Sequence, residues 1–341
     1  MDTRFLTGVR GIAALLVVIS HGANHGYAPA RLFGYGLGQY GVAIFFCLSG
    51  YLMGMLYAHR DPSAHWRRYA IARIARVLPL FYAVLLVSAA MSAAVGTFPI
   101  KVRPEDFPLN LFLLHGSSIL WTIPVEVQFY VVFVGLWALS AKLGRRFWLW
   151  TAALSAALAA VVIQAWTPEV GVSSILLCWQ YFFIFGTACG VYGANGGAER
   201  YGALHARARG ALTPLCLALV ALSIPGVRRV LDLPVYETWT DPYIMAGTVA
   251  LFALAFGEPV VQRVLSTRPL TFLGDISYSL YLTHMVGVWF VRTAFQKLGL
   301  PYEWVGLAPL LLLCILMAAA STWWFERPVQ TLILRWWQRR G

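Results

Sequence analysis

A histidine closing one apolar run, arginines opening others and a glutamate inside a third are the residues of this sequence best equipped for chemistry. His21 follows the apolar residues 12–19, and Arg10 stands eleven residues before it. Eleven residues are close to three helical turns, so in a helix the two face the same way, about 16 Å apart. Arg73 and Arg76 are spaced i,i+3 and share one face near the start of another run. Such a set suits an anionic donor, because guanidinium groups hold phosphates through charge-assisted hydrogen bonds. Histidine is the side chain best matched to take a proton from a hydroxyl near neutral pH. Glu126 could orient that histidine or bind the hydroxyls of an acceptor. Counting residues in from the ends of their runs puts Ser49, Glu126, His21 and His284 at similar depths, and Tyr51 beside Ser49 joins Ser49 and His284 as candidate lining of the site.

Plainer readings stand beside these. Arg73 and Arg76, with Arg67 and Arg68, fit a role as topology determinants, and a lone histidine in an apolar helix is as often a packing hydrogen-bond partner as a catalyst. His25 and Asn24 read as the solvated end of the first helix. Asp275 reads as the N-terminal cap of a later one, and Arg292 as a side chain that snorkels outward. The run Gly36-Leu37-Gly38-Gln39-Tyr40-Gly41 matches GxGxxG literally, but no strand precedes it, so it marks a flexible turn and not a dinucleotide site.

The elements that must position these residues are transmembrane helices. Of 341 residues 60% are hydrophobic and 12% charged, where a soluble domain carries about 25% charged. Fourteen Trp and sixteen Tyr suit aromatic belts at two interfaces. The net charge of +12 is spread over short loops between apolar runs, which argues against a nucleic-acid partner. Cys47, Cys178, Cys189, Cys216 and Cys314 lie in apolar segments without metal-ligand or CxxC spacing, so neither a disulfide nor a metal site is expected.

A span needs roughly 20 mainly apolar residues. Ten ranges qualify: about 8–24, 40–58, 71–95, 121–141, 147–166, 173–193, 210–224, 243–257, 272–295 and 304–325. Residues 107–120 are too short to span and read as interfacial or re-entrant. The first range is expected to remain as an uncleaved helix, because His21, Asn24 and His25 separate it from the signal-peptide-like Ala28-Pro29-Ala30. With the N-terminus inside, every inside loop is net positive, and no outside loop carries more than one excess positive charge. The expected fold is therefore an all-α, polytopic bundle of about ten helices over residues 1–341, one domain, both termini cytoplasmic, in a cell's inner (plasma) membrane.

Six segments, in order, resemble the acyltransferase-3 family of membrane-bound O-acyltransferases. They are Arg10-Gly11-Ile12-Ala13-Ala14 with His21 beyond it; Phe45-Phe46-Cys47-Leu48-Ser49-Gly50-Tyr51; Arg73-Ile74-Ala75-Arg76-Val77-Leu78-Pro79-Leu80; Trp121-Thr122-Ile123-Pro124-Val125-Glu126-Val127-Gln128-Phe129-Tyr130; Ser277-Tyr278-Ser279-Leu280-Tyr281-Leu282-Thr283-His284; and Phe325-Glu326-Arg327-Pro328. No one of them is decisive, but together they cover nearly the whole chain. Some members of that family carry a fused hydrolase-like domain after the core, and this chain departs from them in being expected as a stand-alone transmembrane core. The resemblance implies a ten-helix core using cytoplasmic acyl-CoA, commonly acetyl-CoA, as donor and no tightly bound cofactor. The acceptor it implies is a hydroxyl of a carbohydrate, glycolipid or small metabolite at or across the membrane. It makes His21 the catalytic base, gives Glu126 a carboxylate role and assigns Arg10, Arg73 and Arg76 to the donor. An acyl-enzyme on His21 or Ser49 stays open beside direct transfer. The rival reading is a proton-coupled transporter, since intramembrane His and Glu also build proton relays, although no paired halves with interrupted helices are visible.

Overall fold

The computed structural model describes residues 3–34, 36–165, 176–236, 241–300 and 304–339, and every regular element among them is helical. Each of the ten apolar ranges carries a helix: α1 (Arg4–Asn24), α2 (Leu37–Tyr57), α3 (Pro62–Ala94), α4 (Thr122–Leu143), α5 (Phe147–Ala165), α6 (Leu176–Tyr192), α7 (Arg209–Leu222), α8 (Pro242–Gly257), α9 (Ser277–Leu298) and α10 (Leu307–Ser321). By length and apolar content five stretches can cross a bilayer: α1, α2 with the short helix Ala30–Phe33 before it, α3, Ser118–Leu143 and Leu307–Gln338. A sixth is added if α8 and the helix Pro259–Leu265, bent by 98°, form one broken span. Two of the other ranges fall short for physical reasons, and two are described only in part. α7 has 14 residues, a rise of about 21 Å against a hydrocarbon core of about 30 Å. α9 interrupts its apolar run with His284, Arg292 and Lys297, and α5 and α6 border residues outside the described ones. Among the loop charges, Asp2, Glu169, Glu237, Glu303 and Arg340 also lie outside the described residues.

α3 begins at Pro62, nine residues before its apolar run, and Arg73 and Arg76 therefore sit about three turns inside it. Asp61 caps the helix, accepting from the Ser63 amide at 3.0 Å and the Ser63 hydroxyl at 2.7 Å, and Pro62 occupies the first turn. Hydropathy alone misses this turn because Ser63, Arg67 and Arg68 are polar and exposed.

The bundle is organised about α1. Val9, Ala13 and Val17 pack into one apolar cluster with α2, α4 and α6, while Ala14 and Val18 pack into a second with α9 and α10. α2 and α6 meet along two GxxxG seams, Gly50–Gly54 and Gly186–Gly190. A Cβ on Gly50 would stand 2.0 Å from the Phe183 carbonyl, and one on Gly186 would stand 1.9 Å from that of Cys47, so only glycine permits this approach. In the GxGxxG run only Gly36 belongs to a turn, at φ 100°. Gly38 and Gly41 lie inside α2, and a Cβ on Gly41 would meet the Ala13 carbonyl of α1 at 2.5 Å. The run is thus a helix contact and not a flexible turn.

Two buried polar clusters pin the periphery. Arg228, 0% exposed, pairs bidentately with Asp241, 1% exposed, and its guanidinium lies 4.7 Å from the Tyr243 ring. At the α8 bend, Glu258 accepts from Thr213 at 2.5 Å and faces His205 Nε2 and Arg209 Nε at 3.1 Å each. Asp275 differs from its expected cap role. It closes the short helix Arg268–Asp275, while Ile276 occupies the N-cap of α9 and no side chain caps that helix. Arg292 is exposed.

Candidate active site

α2 residues 42, 45, 46, 49 and 52 recur at helical spacing on one face, and with α1, α3, α4 and α9 they enclose an inner cavity of about 70 Å³. Its polar wall is Arg10, Arg73, Arg76, Ser49, Glu126 and Tyr130. Three guanidinium groups and one carboxylate leave this wall with a formal excess of positive charge, the right sign for an anion.

The polar groups are held in a defined order. The Ser49 hydroxyl donates to Glu126 Oε1 at 2.7 Å, and the Tyr130 hydroxyl, one turn further along α4, donates to the same oxygen at 2.6 Å. Arg73 lies among the rings of Tyr57, Tyr69 and Tyr130, each 5.8–5.9 Å from its guanidinium carbon, an arrangement favoured by cation–π attraction. Arg10 Nη2 donates to the Ser277 hydroxyl at 3.0 Å, which in turn donates to the Gly274 carbonyl at 2.8 Å. The start of α9 is fixed from below as well, since Ser279 donates to Glu326 of the Phe325-Glu326-Arg327-Pro328 segment at 2.7 Å.

A second, outer cavity of about 560 Å³ opens at the other end of α1. His21 lines it together with Ser20, Asn24, Gln39, Ser118, Trp121 and Tyr236. Val42 and Tyr281 line both cavities and form the wall between them. Tyr281 is anchored by its hydroxyl, which donates to the Ile119 carbonyl at 2.8 Å. That carbonyl follows a strained turn in which the non-glycine residues Leu113 and Ser118 have φ of 58° and 51°. Asn110 braces the turn, donating to Ser117 Oγ and accepting from the Ser117 amide, both at 2.9 Å. Residues 107–120 are therefore a short helix and a braced turn that position the wall.

The structure thus brings the expected residues together in two groups. Arg10, Arg73, Arg76, Ser49 and Glu126 share the inner cavity, whereas His21 lines the outer one and His284, fully buried, lines neither but stands beside His21, ring centroids 5.0 Å apart. Glu126 is bonded to Ser49 and Tyr130 and not to His21. Tyr51 leaves the site altogether. It is two residues from Ser49, so helical rotation turns it away, and it lines a separate apolar cavity with Tyr201, Phe252 and Phe256. Sequence reasoning gave no role to Tyr130, Tyr281, Val42 or Ser277. The i,i+4 spacing of Glu126 and Tyr130 was a usable signal. Nothing local marked Val42.

This arrangement can hold an anionic group at one end of α1 and activate a hydroxyl at the other. The acyltransferase-3 family, described as an acyltransferase domain, matches residues 3–326. "Putative peptidoglycan O-acetyltransferase YrhL" of Bacillus subtilis (strain 168) is 26% identical over 396 aligned positions, covering 99% of this chain and 57% of that protein. "Exopolysaccharide production protein ExoZ" of Rhizobium meliloti (strain 1021) is 27% identical over 286 positions, covering 77% of this chain and 81% of its own. This chain therefore spans little more than half the length of the first relative. No solved structure matches it. With the family's pattern running over nearly all of its helices, the chain belongs to the acyltransferase-3 family.

Proposed function

We propose that this chain is an acyltransferase that moves an acyl group, acetyl in the first instance, from cytoplasmic acyl-CoA to a hydroxyl of a cell-envelope carbohydrate or glycolipid on the far side of the membrane. The observation that carries the reading is the pair of cavities meeting at Val42 and Tyr281, with arginines on one side and His21 on the other. The phosphates rest on Arg10, Arg73 and Arg76. The pantetheine arm runs past Ser49 and Glu126 towards the wall, along a stretch of α1 about 16 Å long. His21 takes the proton of the acceptor hydroxyl as its oxygen attacks the thioester carbonyl. The carbon–sulfur bond breaks, and the departing thiolate receives that proton. Trp121 and Tyr236 offer faces, and Asn24 and Gln39 amides, for a saccharide in the outer cavity. The names of the two relatives, peptidoglycan and exopolysaccharide, support an envelope glycan as acceptor. Ten spans with both termini cytoplasmic, in an inner membrane, fit the loop charges and put the arginine end inside.

The test is acetyl-CoA binding by the protein purified in detergent. Charge-assisted hydrogen bonds are worth about 1.5–3 kcal/mol each, so Arg73→Ala/Arg76→Ala should weaken binding by more than 100-fold. His21→Ala should bind normally and transfer nothing. Saturable binding that survives the double substitution, or turnover by His21→Ala, would overturn the assignment.

A further inference from the structure

His284 is fully buried, and one of its nitrogens is already committed. Nδ1 lies 2.6 Å from the Tyr281 carbonyl of its own helix. A carbonyl has no proton to give, so Nδ1 carries the hydrogen and the neutral ring keeps an acceptor lone pair at Nε2. That Nε2 is buried and has no hydrogen-bond partner. Buried acceptors are rarely left so, and one that is demands an explanation.

The surroundings aim this ring at α1. Behind it, α10 presses on α9 at Gly287, where a Cβ would stand 2.5 Å from Cys314 Sγ, and that thiol faces the His284 carbonyl at 3.6 Å. α10 also touches α1 at Gly22, next to His21, where a Cβ would meet Leu310 at 3.0 Å. The three helices leave the His284 ring facing that of His21, tilted by 45° at a centroid separation of 5.0 Å. The two rings share no hydrogen bond as they stand; ring nitrogens lie roughly 1 Å out from a centroid, so a turn of the His21 ring that aims one along the connecting line brings it to within about 3 Å of Nε2, hydrogen-bond range.

We propose that His284 is the positioning partner of His21, its Nε2 accepting the N–H of His21 and so fixing the tautomer whose free nitrogen faces the outer cavity. This rests on the transfer reaction proposed above and assigns a residue to it. In the step, the acceptor's O–H proton goes to the free nitrogen of His21 as the new carbon–oxygen bond forms and the carbon–sulfur bond breaks. His21 then passes that proton to the departing thiolate. Throughout, its other N–H stays on the lone pair of His284, which orients the base and supports the transient imidazolium as a neutral acceptor. His284 touches neither donor nor acceptor.

The experiment uses the full chain and four variants built from three substitutions. Transfer is read as glycan-bound label after adding radiolabelled acetyl-CoA to membranes of cells that make the protein, and acetyl-CoA affinity is read on purified samples. His284→Leu should lose at least 30-fold in transfer with acetyl-CoA affinity within twofold of wild type. His284→Gln, whose side-chain oxygen can still accept, should recover to within about tenfold of wild type. His21→Ala/His284→Leu should be no worse than His21→Ala alone, since residues acting as a unit are not additive. Transfer by His284→Leu within threefold of wild type overturns the proposal, as does equal loss in the Gln and Leu variants. Loss of acetyl-CoA affinity in His284→Leu also overturns it, by making the role one of packing. Wild-type protein that neither binds nor consumes acetyl-CoA refutes instead the underlying reaction.

Discussion

Replacing Gly186 by Ala tests whether the α2–α6 seam sets the geometry of the inner cavity. The added Cβ would lie 1.9 Å from the Cys47 carbonyl and 3.0 Å from the Tyr51 amide. Ordinary carbon contacts sit near 3.5 Å, so the helices must part locally by about 1.5 Å. Both partners are backbone, and Gly50, Gly54 and Gly190 hold the rest of the seam just as closely. No flexible side chain can give way. Overpacking of this kind costs about 1–3 kcal/mol, a fall of a few degrees in melting temperature for a chain of this size. Function should suffer more, because α2 carries Ser49, 2.7 Å from Glu126, and Val42 in the wall between the cavities. A displacement near 1 Å can cost about 100-fold in rate. Gly135→Ala is the control: it lies in α4 with nothing within 4 Å of where its Cβ would stand, so Ala should be neutral or stabilise by up to about 1 kcal/mol. Melting in detergent and acetyl transfer are measured for both. Gly186→Ala protein that melts and turns over like wild type, or equal damage from Gly135→Ala, would refute the reasoning.

Asp241→Ala strands the buried Arg228 guanidinium and removes the bond to the Tyr243 amide, so it should cost about 3–5 kcal/mol; Arg228→Met added to it should recover part of the melting temperature, and no recovery would count against the pair. The hydroxyl and amide of Ser63 hold the Asp61 carboxyl below the usual carboxylate range, so its cap on α3 is intact above the ordinary value and is lost as pH falls through the depressed one. Hydrogen-exchange protection at residues 63–66, with the intrinsic pH dependence of the amide rate divided out, should fall on acidification in wild type, and should show no such pH step in Asp61→Asn. Val42→Ala thins the wall between the cavities, and should raise acceptor-independent hydrolysis of acetyl-CoA relative to transfer; an unchanged ratio of the two rates would show that Val42 does not partition the site.

Most of the helices were legible because apolar length is a strong signal, and their ends were not. α3 starts nine residues early because a capping Asp and a proline launch it, not hydropathy. The site was legible as types and spacings. Arg10, Arg73 and Arg76 do share a cavity wall, and His21 does meet His284. What depth counting could not give is rotation about each helix axis. That angle sends Tyr51 to another cavity and turns Glu126 towards Ser49 and Tyr130. The same limit hid the wall, because Val42 becomes a partition only when α9 brings Tyr281 against the same space. The glycine seams were visible as letters, yet which helix each would face depended on the packing of the whole bundle.

The division into two cavities answers a chemical difficulty inherent in the proposed reaction. A base able to activate a sugar hydroxyl also activates water, and the outer cavity, at about 560 Å³, has room for many waters. If the thioester rested beside His21, the donor would be hydrolysed whenever no glycan was bound. On the proposed reading, a thioester held behind Val42 and Tyr281 until a glycan binds is sheltered from that water. The wall is built to be firm. Tyr281 is tied at its hydroxyl to Ile119, and its carbonyl receives the Nδ1 hydrogen of His284. Its carbonyl is therefore bonded directly to the ring that faces His21. On the proposed reading, the residue that separates donor from water and the residue that orients the base are neighbours on a single turn of α9. A displacement of that turn would change both at once, so admission of the thioester and readiness of the base are coupled by covalent proximity and not by a separate signal.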